Sequence, residues 1–236
     1  MILWRPYEKG SQMFVEVSYP VSHHMPVYPG LPEVELVDRE RIANGDAWNG
    51  TVMTIYTHAG THVDAPCHYR DGAMTLDQVP LERFMYDAPL LIPINAEKNY
   101  LISVEDVAGA PGVEQADFLL FDTGWWKLRS VDFDAYANDF PALSAEAARY
   151  IREKLPKVKA VAIDTLSIEN LGIGATNGYA THNTLLNDVG CLPCMIYEDY
   201  DPSQLAGKKL VRAFTTPLRL KDREATPVNL VVEVEE

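Results

Sequence analysis

The amino-acid sequence predicts a mixed α/β fold with a β-rich core, because short apolar segments typical of strands outnumber segments with helical periodicity. The chain has 236 residues, of which 47% are hydrophobic and 23% are charged. This composition can supply one large domain with a full core. The sequence contains no internal repeat, low-complexity tract or linker. We therefore expect residues 1–236 to form a single domain.

Eight segments are predicted to be strands. They are short and rich in Val, Ile, Leu, Phe or Tyr, and glycines and prolines separate them as turn residues. Residues 118–121 are continuously apolar, which is typical of a strand that is buried on both faces. The predicted strands are 13–17, 33–37, 51–58, 89–94, 118–121, 158–163, 194–197 and 228–234.

The most regular helical pattern covers residues 144–155. Ser144 is a suitable N-cap, and Ala147 and Ile151 share one face of the predicted helix at a spacing of four residues. Pro156 follows the segment and cannot continue a helix. This pattern predicts an amphipathic helix that packs against the sheet.

Two shorter segments are also predicted to be helical. Residues 103–108 begin with Ser103 as the N-cap and Asp106 at the capping-box position, and Gly109 ends the segment. Residues 184–189 form the other predicted helix.

The charge of the chain limits its partners. The formal net charge is −14 at pH 7, and Lys and Arg form no cluster, so a nucleic-acid partner is not expected. The acidity also disfavours binding to anionic membranes, and no apolar run approaches the length of a membrane span. The first residues lack the basic and then apolar pattern of a signal peptide, so we expect a cytoplasmic protein whose partner is a small-molecule substrate.

One segment concentrates side chains that bind metal ions. Within eleven residues the chain places His58, His62, Asp64 and His68, which include half of its six histidines. Neutral imidazole nitrogens and an anionic carboxylate oxygen are the ligands that a catalytic divalent metal needs. Four unrelated polar residues on a solvated loop are the alternative, but this density of ligands is hard to reach by chance.

The residues within this segment indicate an extended backbone. Gly60, Pro66 and two β-branched residues disfavour a helix, although His58 and His62 would share a helical face. In an extended chain, His62 and Asp64 point to the same side. If the alternation continues, His58 and His68 also point to that side, and one cavity receives all four groups.

The three cysteines do not form a disulfide framework. Cys191 and Cys194 have the spacing of a redox pair or of half a zinc site, but no second pair completes a structural zinc site. We interpret them as structural, with a regulatory disulfide and metal ligation as alternatives. Cys67 has the opposite parity to His68, so we expect it to point away from the cavity.

The segment 58–68 resembles the signature H-x-G-T-H-x-D-x-P-x-H of the metal-dependent "cyclase" family of hydrolases, which includes bacterial kynurenine formamidases and isatin hydrolases. Shorter blocks in the family order resemble its other conserved elements, so the resemblance covers nearly the whole chain. These blocks are Val-Glu-Val-Ser at 15–18, Val-Tyr-Pro-Gly at 27–30, Phe-Asp-Thr-Gly-Trp at 121–125, Ala-Ile-Asp-Thr-Leu-Ser at 162–167 and His-Asn-Thr-Leu-Leu at 182–186.

The resemblance implies a swivelling β/β/α architecture and a set of metal ligands. The implied ligands are His58, His62, Asp64, His182 and Glu198. In two-metal members, the residue that matches Asp64 bridges the metals. Glu198 is farther from His182 than in the family, and its neighbour Asp199 is the alternative ligand.

The resemblance also implies that His68 is a general acid/base, with a role as a further ligand as the alternative. A bound divalent metal lowers the pKa of its water to about 7, so the implied reaction is hydrolysis by metal-activated water. Histidine is the side chain whose pKa suits proton transfer near neutral pH. Donors without thiolate suit zinc or manganese, and the site holds one metal or two.

Other residues near these blocks have two interpretations. Asp164 either supports a ligand imidazole or forms a turn. The pair His23 and His24 is interpreted as part of a solvated loop. The aromatic residues Tyr28, Trp48, Trp125 and Trp126 either line a pocket for a planar substrate or belong to the core.

The leading functional hypothesis is hydrolysis of a C–N amide bond in a small aromatic or cyclic substrate. Within the resembled family, N-formylkynurenine is the first candidate and an isatin-type lactam the second. The alternatives are a dehydratase or cyclase that uses the same metal site, and a metal-binding protein without catalysis. The resemblance further implies a homodimer or a homotetramer.

Overall fold

The computed structural model describes residues 12–235. The expectation that the first residues carry no signal peptide therefore lies outside the described part, and a single domain over residues 1–236 stays a prediction. The described residues contain short strands and helices in mixed order. The strands are β1 Gln12–Glu16, β2 Glu35–Glu40, β3 Gly50–Thr54, β4 His62–Asp64, β5 Met85–Tyr86, β6 Pro89–Pro93, β7 Leu101–Ile102, β8 Phe118–Asp122, β9 Ala142–Leu143, β10 Ala160–Ile163, β11 Met195–Glu198, β12 Lys209–Thr215, β13 Ala225–Pro227 and β14 Leu230–Glu235.

The helices of the described residues are mostly one or two turns long. The α-helices are α1 Val104–Ala108, α2 Phe133–Asn138, α3 Ala145–Lys154, α4 Leu171–Asn177 and α5 Ala180–Leu185. Short 3₁₀ turns connect several elements, at Ile42–Asn44, Pro66–His68, Leu76–Gln78, Leu81–Phe84, Val113–Gln115 and Trp125–Leu128.

A six-stranded sheet lies at the centre of the fold, with the strand order β13-β4-β11-β10-β8-β6. Strands β6, β8, β10 and β11 run parallel, and β4 is antiparallel to β11. A four-stranded sheet of order β1-β14-β12-β5 and two separate strand pairs, β2-β3 and β7-β9, complete the described strands.

The two faces of the central sheet pack against different layers. On β8, Phe118 and Leu120 belong to a core that includes side chains of β1 and β14 in the four-stranded sheet. Leu119 and Phe121 point the other way and belong to a core that includes helix α3. All four side chains are fully buried, and burying each one contributes roughly 1.5–3 kcal/mol. The order of layers is thus sheet, sheet, helix, which confirms the expected β/β/α architecture with a β-rich core.

Most predicted elements are present, with shifted ends. Strand β2 covers 35–40 rather than 33–37, and β3 ends at Thr54 rather than at 58. The largest difference is α5, which covers Ala180–Leu185 where the sequence predicted 184–189. Helix α5 begins earlier because a distant carboxylate accepts hydrogen bonds from its first N–H groups, as described below.

The predicted capping box of α1 is present. The Ser103 side chain accepts a hydrogen bond from the N–H of Asp106, and the Asp106 carboxylate accepts one from the N–H of Ser103. We expect Ser103→Ala to lower the free energy of unfolding by about 1 kcal/mol, because helix N–H groups then lose their partner. Urea denaturation would measure this, with Ser203→Ala in a loop as the control. An unchanged denaturation midpoint would show that the cap is not needed.

Within residues 12–235, no helix combines the length and the apolar character that crossing a lipid bilayer requires.

Candidate metal centre

Strands β4 and β11 place three of the predicted ligands on one face of the central sheet. His62 lies opposite Glu198 in the antiparallel register, and Asp64 lies two residues further along β4. Between His62 and Asp64, Val63 points into the core beneath the four-stranded sheet. His62, Asp64 and Glu198 therefore face the helical layer, as side-chain alternation requires. This confirms that His62 and Asp64 share one side of an extended segment.

A turn, not a strand, brings His58 to the site. Gly60 adopts a φ of 66°, in the left-handed region that favours glycine. A Cβ atom there would also meet the side chain of Met25. Because of this turn, the Nδ1 atom of His58 lies 3.0 Å from Oδ1 of Asp64. The Nδ1 atom of His62 lies 2.8 Å from the carbonyl oxygen of Gly60. When Nδ1–H donates to this oxygen, the Nε2 atom of His62 is left to bind a metal.

Helix α5 brings His182 to the same place. Its Nδ1 atom lies 2.8 Å from Oε2 of Glu169, a residue in the loop after β10. The Glu169 carboxylate also accepts hydrogen bonds from the backbone N–H groups of Thr181 and His182. Glu169 therefore caps the first turn of α5 and orients the imidazole of His182 at the same time.

The carboxylate of Glu198 lies between two imidazoles. Its Oε2 is 3.2 Å from Nε2 of His62, and its Oε1 is 3.3 Å from Nε2 of His182. The backbone N–H of Ile168 donates to Oε1 at 2.7 Å, which holds the carboxylate in place. Both histidines thus turn Nε2 towards Glu198, while another partner faces each Nδ1.

His68 lies at the edge of this cluster. It ends a 3₁₀ turn that begins at Pro66, so a bend rather than strand alternation brings it to the site. Its ring centroid is 4.1 Å from that of His58 and 5.9 Å from that of His182. Burial, together with the neighbouring His58 and His182, lowers the pKa of His68 to about 4 against the attraction of Asp64. His68 is therefore neutral at neutral pH.

The arrangement fits a divalent metal. Ligand atoms of His58, Asp64 and His68 lie within 4.8 Å of one another, and so do those of His62, Asp64 and Glu198. Four buried atoms of this cluster have no hydrogen-bond partner among residues 12–235, although oppositely charged atoms are close. These atoms are Nε2 of His58, Nε2 of His62 and both carboxylate oxygens of Asp64. Buried polar atoms that converge without bonding each other are expected of ligands that share an ion.

The charges of the cluster agree with this. Burial alone would lower the pKa of His58, but Asp64 and Glu224 raise it to about 10. Burial would also lower the pKa of His182, but Glu169 and Glu198 raise it to about 9. The buried carboxylates thus create a field that favours positive charge, and a divalent cation can supply that charge.

Asp199, the alternative to Glu198, lies elsewhere. Its two carboxylate oxygens accept hydrogen bonds from the guanidinium of Arg129 at 2.8 and 2.9 Å, and the hydroxyl of Tyr136 donates to it at 2.5 Å. Asp199 follows the last residue of β11 and has a φ of 52°, so the backbone turns there and does not continue the strand. Because Arg129 and Tyr136 bind its carboxylate, Asp199 is not placed to be a metal ligand.

Asp164 binds the segment 123–126 and does not contact an imidazole. Its carboxylate accepts hydrogen bonds from the N–H and hydroxyl of Thr123 and from the N–H of Trp126. Burial raises the pKa of Asp164 to about 6 against these bonds. The structure supports neither interpretation of Asp164, because its hydrogen bonds join two segments that are distant in sequence and close no local turn.

A pocket of about 150 Å³ opens onto the cluster. Side chains of the candidate site form its floor, and aromatic and aliphatic side chains form its walls. The described lining residues are Tyr28, Leu31, Tyr56, His58, His68, Tyr69, Leu166, Ser167, Leu171, His182 and Glu198. Of the expected aromatic residues, Tyr28 lines this pocket, whereas Trp48 is 63% exposed and lies outside the lining.

Comparison with known families identifies the chain. The model of the Cyclase family matches residues 15–170, about two thirds of the sequence. The chain belongs to the Cyclase family. A kynurenine formamidase of Bordetella avium is 26% identical over 223 residues, which cover 92% of this chain and 96% of the relative.

Solved structures agree with this Cyclase-family assignment. A structure of a potential metal-dependent hydrolase with cyclase activity matches with a TM-score of 0.73 and 25% identity, over 95% of this chain and 99% of that one. Isatin hydrolase A from Labrenzia aggregata, bound to benzyl benzoate, matches with a TM-score of 0.80 and 20% identity, over 96% of this chain and 95% of that one. The similarity to isatin hydrolase A shows the fold. The matches together support a hydrolase of the Cyclase family.

Two residues of this Cyclase-family site were missed in the sequence. Glu169 has no motif around it, and only its hydrogen bonds to α5 reveal its place. Tyr69 directly follows His68, and its ring stacks on His182 with centroids 4.4 Å apart. The adjacency of Tyr69 to the signature was the one available signal.

We expect Glu169→Gln to weaken metal binding about 10- to 100-fold, because an amide orients and polarises the imidazole of His182 less well than a carboxylate. Titration of the metal against a competing chelator would measure the dissociation constant. Glu153→Gln is the matched control, because Glu153 is an exposed residue near the end of α3. Equal affinity of the Glu169 variant and the wild type would contradict a role for Glu169 in metal binding.

Proposed function

We propose that this Cyclase-family protein is a metal-dependent hydrolase that cleaves the C–N amide bond of a small aromatic or cyclic substrate. The observation that carries the proposal is the convergence of five ligand side chains and a neutral histidine at the floor of an aromatic pocket. The five ligands are His58, His62, Asp64, His182 and Glu198. Asp64 belongs to both groups of close ligand atoms, so it would hold the metal together with the histidines of either group.

A divalent metal bound there supplies Lewis-acid activation of water and of the substrate carbonyl. Zinc and manganese both suit nitrogen and oxygen donors. His68 supplies the proton transfers, because a neutral imidazole accepts a proton from the attacking water and then donates it to the leaving nitrogen. The C–O bond forms, the C–N bond breaks, and the nitrogen departs as a neutral amine.

N-formylkynurenine is the leading substrate, because relatives over nearly the whole chain are kynurenine formamidases. An isatin-type lactam is the second candidate, and the pocket favours it. Its volume of about 150 Å³ resembles that of a cavity that holds one aromatic ring. No Lys or Arg is present among the described lining residues, so within residues 12–235 no ammonium or guanidinium group of the lining pairs with the carboxylate of an amino acid.

Hydrolysis rates of N-formylkynurenine and isatin, before and after chelation and with zinc or manganese restored, test the proposal. We expect turnover of at least one substrate that is lost on chelation and recovered with metal. The ring-opened product of isatin should be heavier than isatin by one water, and the two products of N-formylkynurenine, the free amine and formate, should together exceed their substrate by one water. A dehydratase would instead make the product lighter than the substrate by one water. A metal-loaded protein that is inert towards amides, lactams and esters would instead favour a binding role without catalysis.

A further inference from the structure

Among residues 12–235, the four fully buried tyrosines all use their hydroxyl groups in hydrogen bonds within the fold. The Tyr86 and Tyr197 hydroxyls bond each other at 2.9 Å, Tyr136 donates to Asp199, and Tyr200 donates to the carbonyl oxygen of Phe121. Tyr69 is half-buried in the wall of the pocket. Its hydroxyl makes no hydrogen bond to any residue between 12 and 235. A phenol held in a pocket with a free donor is a group that a ligand can use.

The ring of Tyr69 is held firmly at the reacting end of the pocket. It stacks on His182 at an interplanar angle of 26° and meets the edge of His68 at 78°, with centroids 4.4 and 4.5 Å apart. Tyr179 packs on it from behind at 5.3 Å. Tyr69 is thus placed between a proposed metal ligand and the proposed proton carrier.

Amide hydrolysis needs a donor near that position. Attack on the carbonyl carbon moves negative charge onto the carbonyl oxygen, and a fixed hydrogen-bond donor stabilises this charge. Among the other donors of the described lining, Ser167 lies within hydrogen-bond distance of Glu198, and His68 is needed for proton transfer. Tyr56 is 38% exposed, and Tyr28 packs against the apolar cluster of Tyr136 and Leu166, whereas the ring of Tyr69 contacts both His182 and His68.

We propose that the hydroxyl of Tyr69 donates a hydrogen bond to the carbonyl oxygen of the scissile amide, while its ring fixes the positions of His182 and His68. A phenol has a pKa near 10, so it is protonated at neutral pH and transfers no proton itself. This inference rests on the proposed function, because it assigns a contact to the substrate of that reaction.

Two variants separate the hydroxyl from the ring. Tyr69→Phe keeps the stacking and removes the donor, so we expect kcat on the simple aromatic formamide formanilide to fall about 100-fold while metal affinity stays unchanged. Tyr69→Leu also removes the stacking on His182, so metal affinity should fall by about tenfold as well. Tyr179→Phe, which removes a hydroxyl outside the pocket, is the matched control and should behave as the wild type.

Formanilide binding, measured by calorimetry on the zinc-loaded wild type and Tyr69→Phe, separates failure of this inference from failure of the proposed function. Normal turnover and binding in Tyr69→Phe would overturn the role of the hydroxyl and leave the hydrolase standing. Binding without turnover in the wild type, weakened in Tyr69→Phe, would overturn the hydrolase and support the hydroxyl contact. A wild type that neither binds nor hydrolyses formanilide would overturn both.

Discussion

Replacing Asp64 with Asn is expected to abolish metal binding and turnover together. Asp64 is fully buried, and neither carboxylate oxygen has a hydrogen-bond partner among the described residues. It is also the one residue that both groups of close ligand atoms share. An amide of nearly the same size supplies no negative charge, so the affinity for a divalent cation should fall by more than the 10- to 100-fold that loss of an outer partner costs. Chelator competition and turnover assays on the same preparations would measure both effects.

The same variant should lower stability both without metal and with metal, for different reasons. Without metal, Oδ1 of Asp64 lies 3.0 Å from Nδ1 of His58, and although burial would raise the pKa of Asp64, His58 lowers it. Removing this charge leaves the buried imidazole of His58 without its partner, so the folded state should be destabilised. With metal at about 100 times its dissociation constant, the wild type gains about 2.7 kcal/mol of stability, which the variant cannot gain. Denaturation with and without zinc tests this. His62→Ala should also lose metal binding and turnover. Asp139→Asn is the control, because Asp139 forms a surface ion pair with Lys98.

If Asp64→Asn keeps full activity, or if added metal stabilises it as much as the wild type, this cluster is not the metal centre. A loss of folding without metal would instead show that Asp64 is needed for structure, and His62→Ala would then decide the role of the cluster.

The sequence predicted the residues of the site better than their arrangement. Alternation placed His62 and Asp64 correctly, because both lie on the real strand β4. Alternation did not place His58 and His68, since β3 ends at Thr54 and a bend at each end of β4 brings these residues to the cluster. Such bends depend on φ angles and packing around Gly60, which periodicity does not report.

Other features depended on contacts between distant segments. The choice between Glu198 and Asp199 follows from the register of β11 against β4, which local sequence cannot supply. The start of α5 depends on Glu169, eleven residues before Ala180. By contrast, the capping box of α1 and the apolar run of β8 use only neighbouring residues, and both were predicted with nearly correct bounds.

Replacing His68 with Asn is expected to lower kcat about 10²- to 10⁴-fold, because proton transfer to the leaving nitrogen loses its carrier. Metal affinity should change little, since the five proposed ligands remain. Turnover and metal titration on one preparation would separate these effects. A variant that loses its metal would show that His68 is a ligand, as its closeness to His58 and Asp64 also allows.

The pH dependence gives an independent test of His68. A base works only when it is deprotonated, so activity falls as pH falls through its pKa. The pKa of His68 lies at about 4, because burial and the adjacent His58 and His182 disfavour its charged form. We therefore expect the pH profile of kcat to contain no fall near 6.5 that His68→Asn removes, whereas an ordinary histidine base would contribute one. A fall near 6.5 in the wild type that disappears in His68→Asn would contradict the depressed pKa.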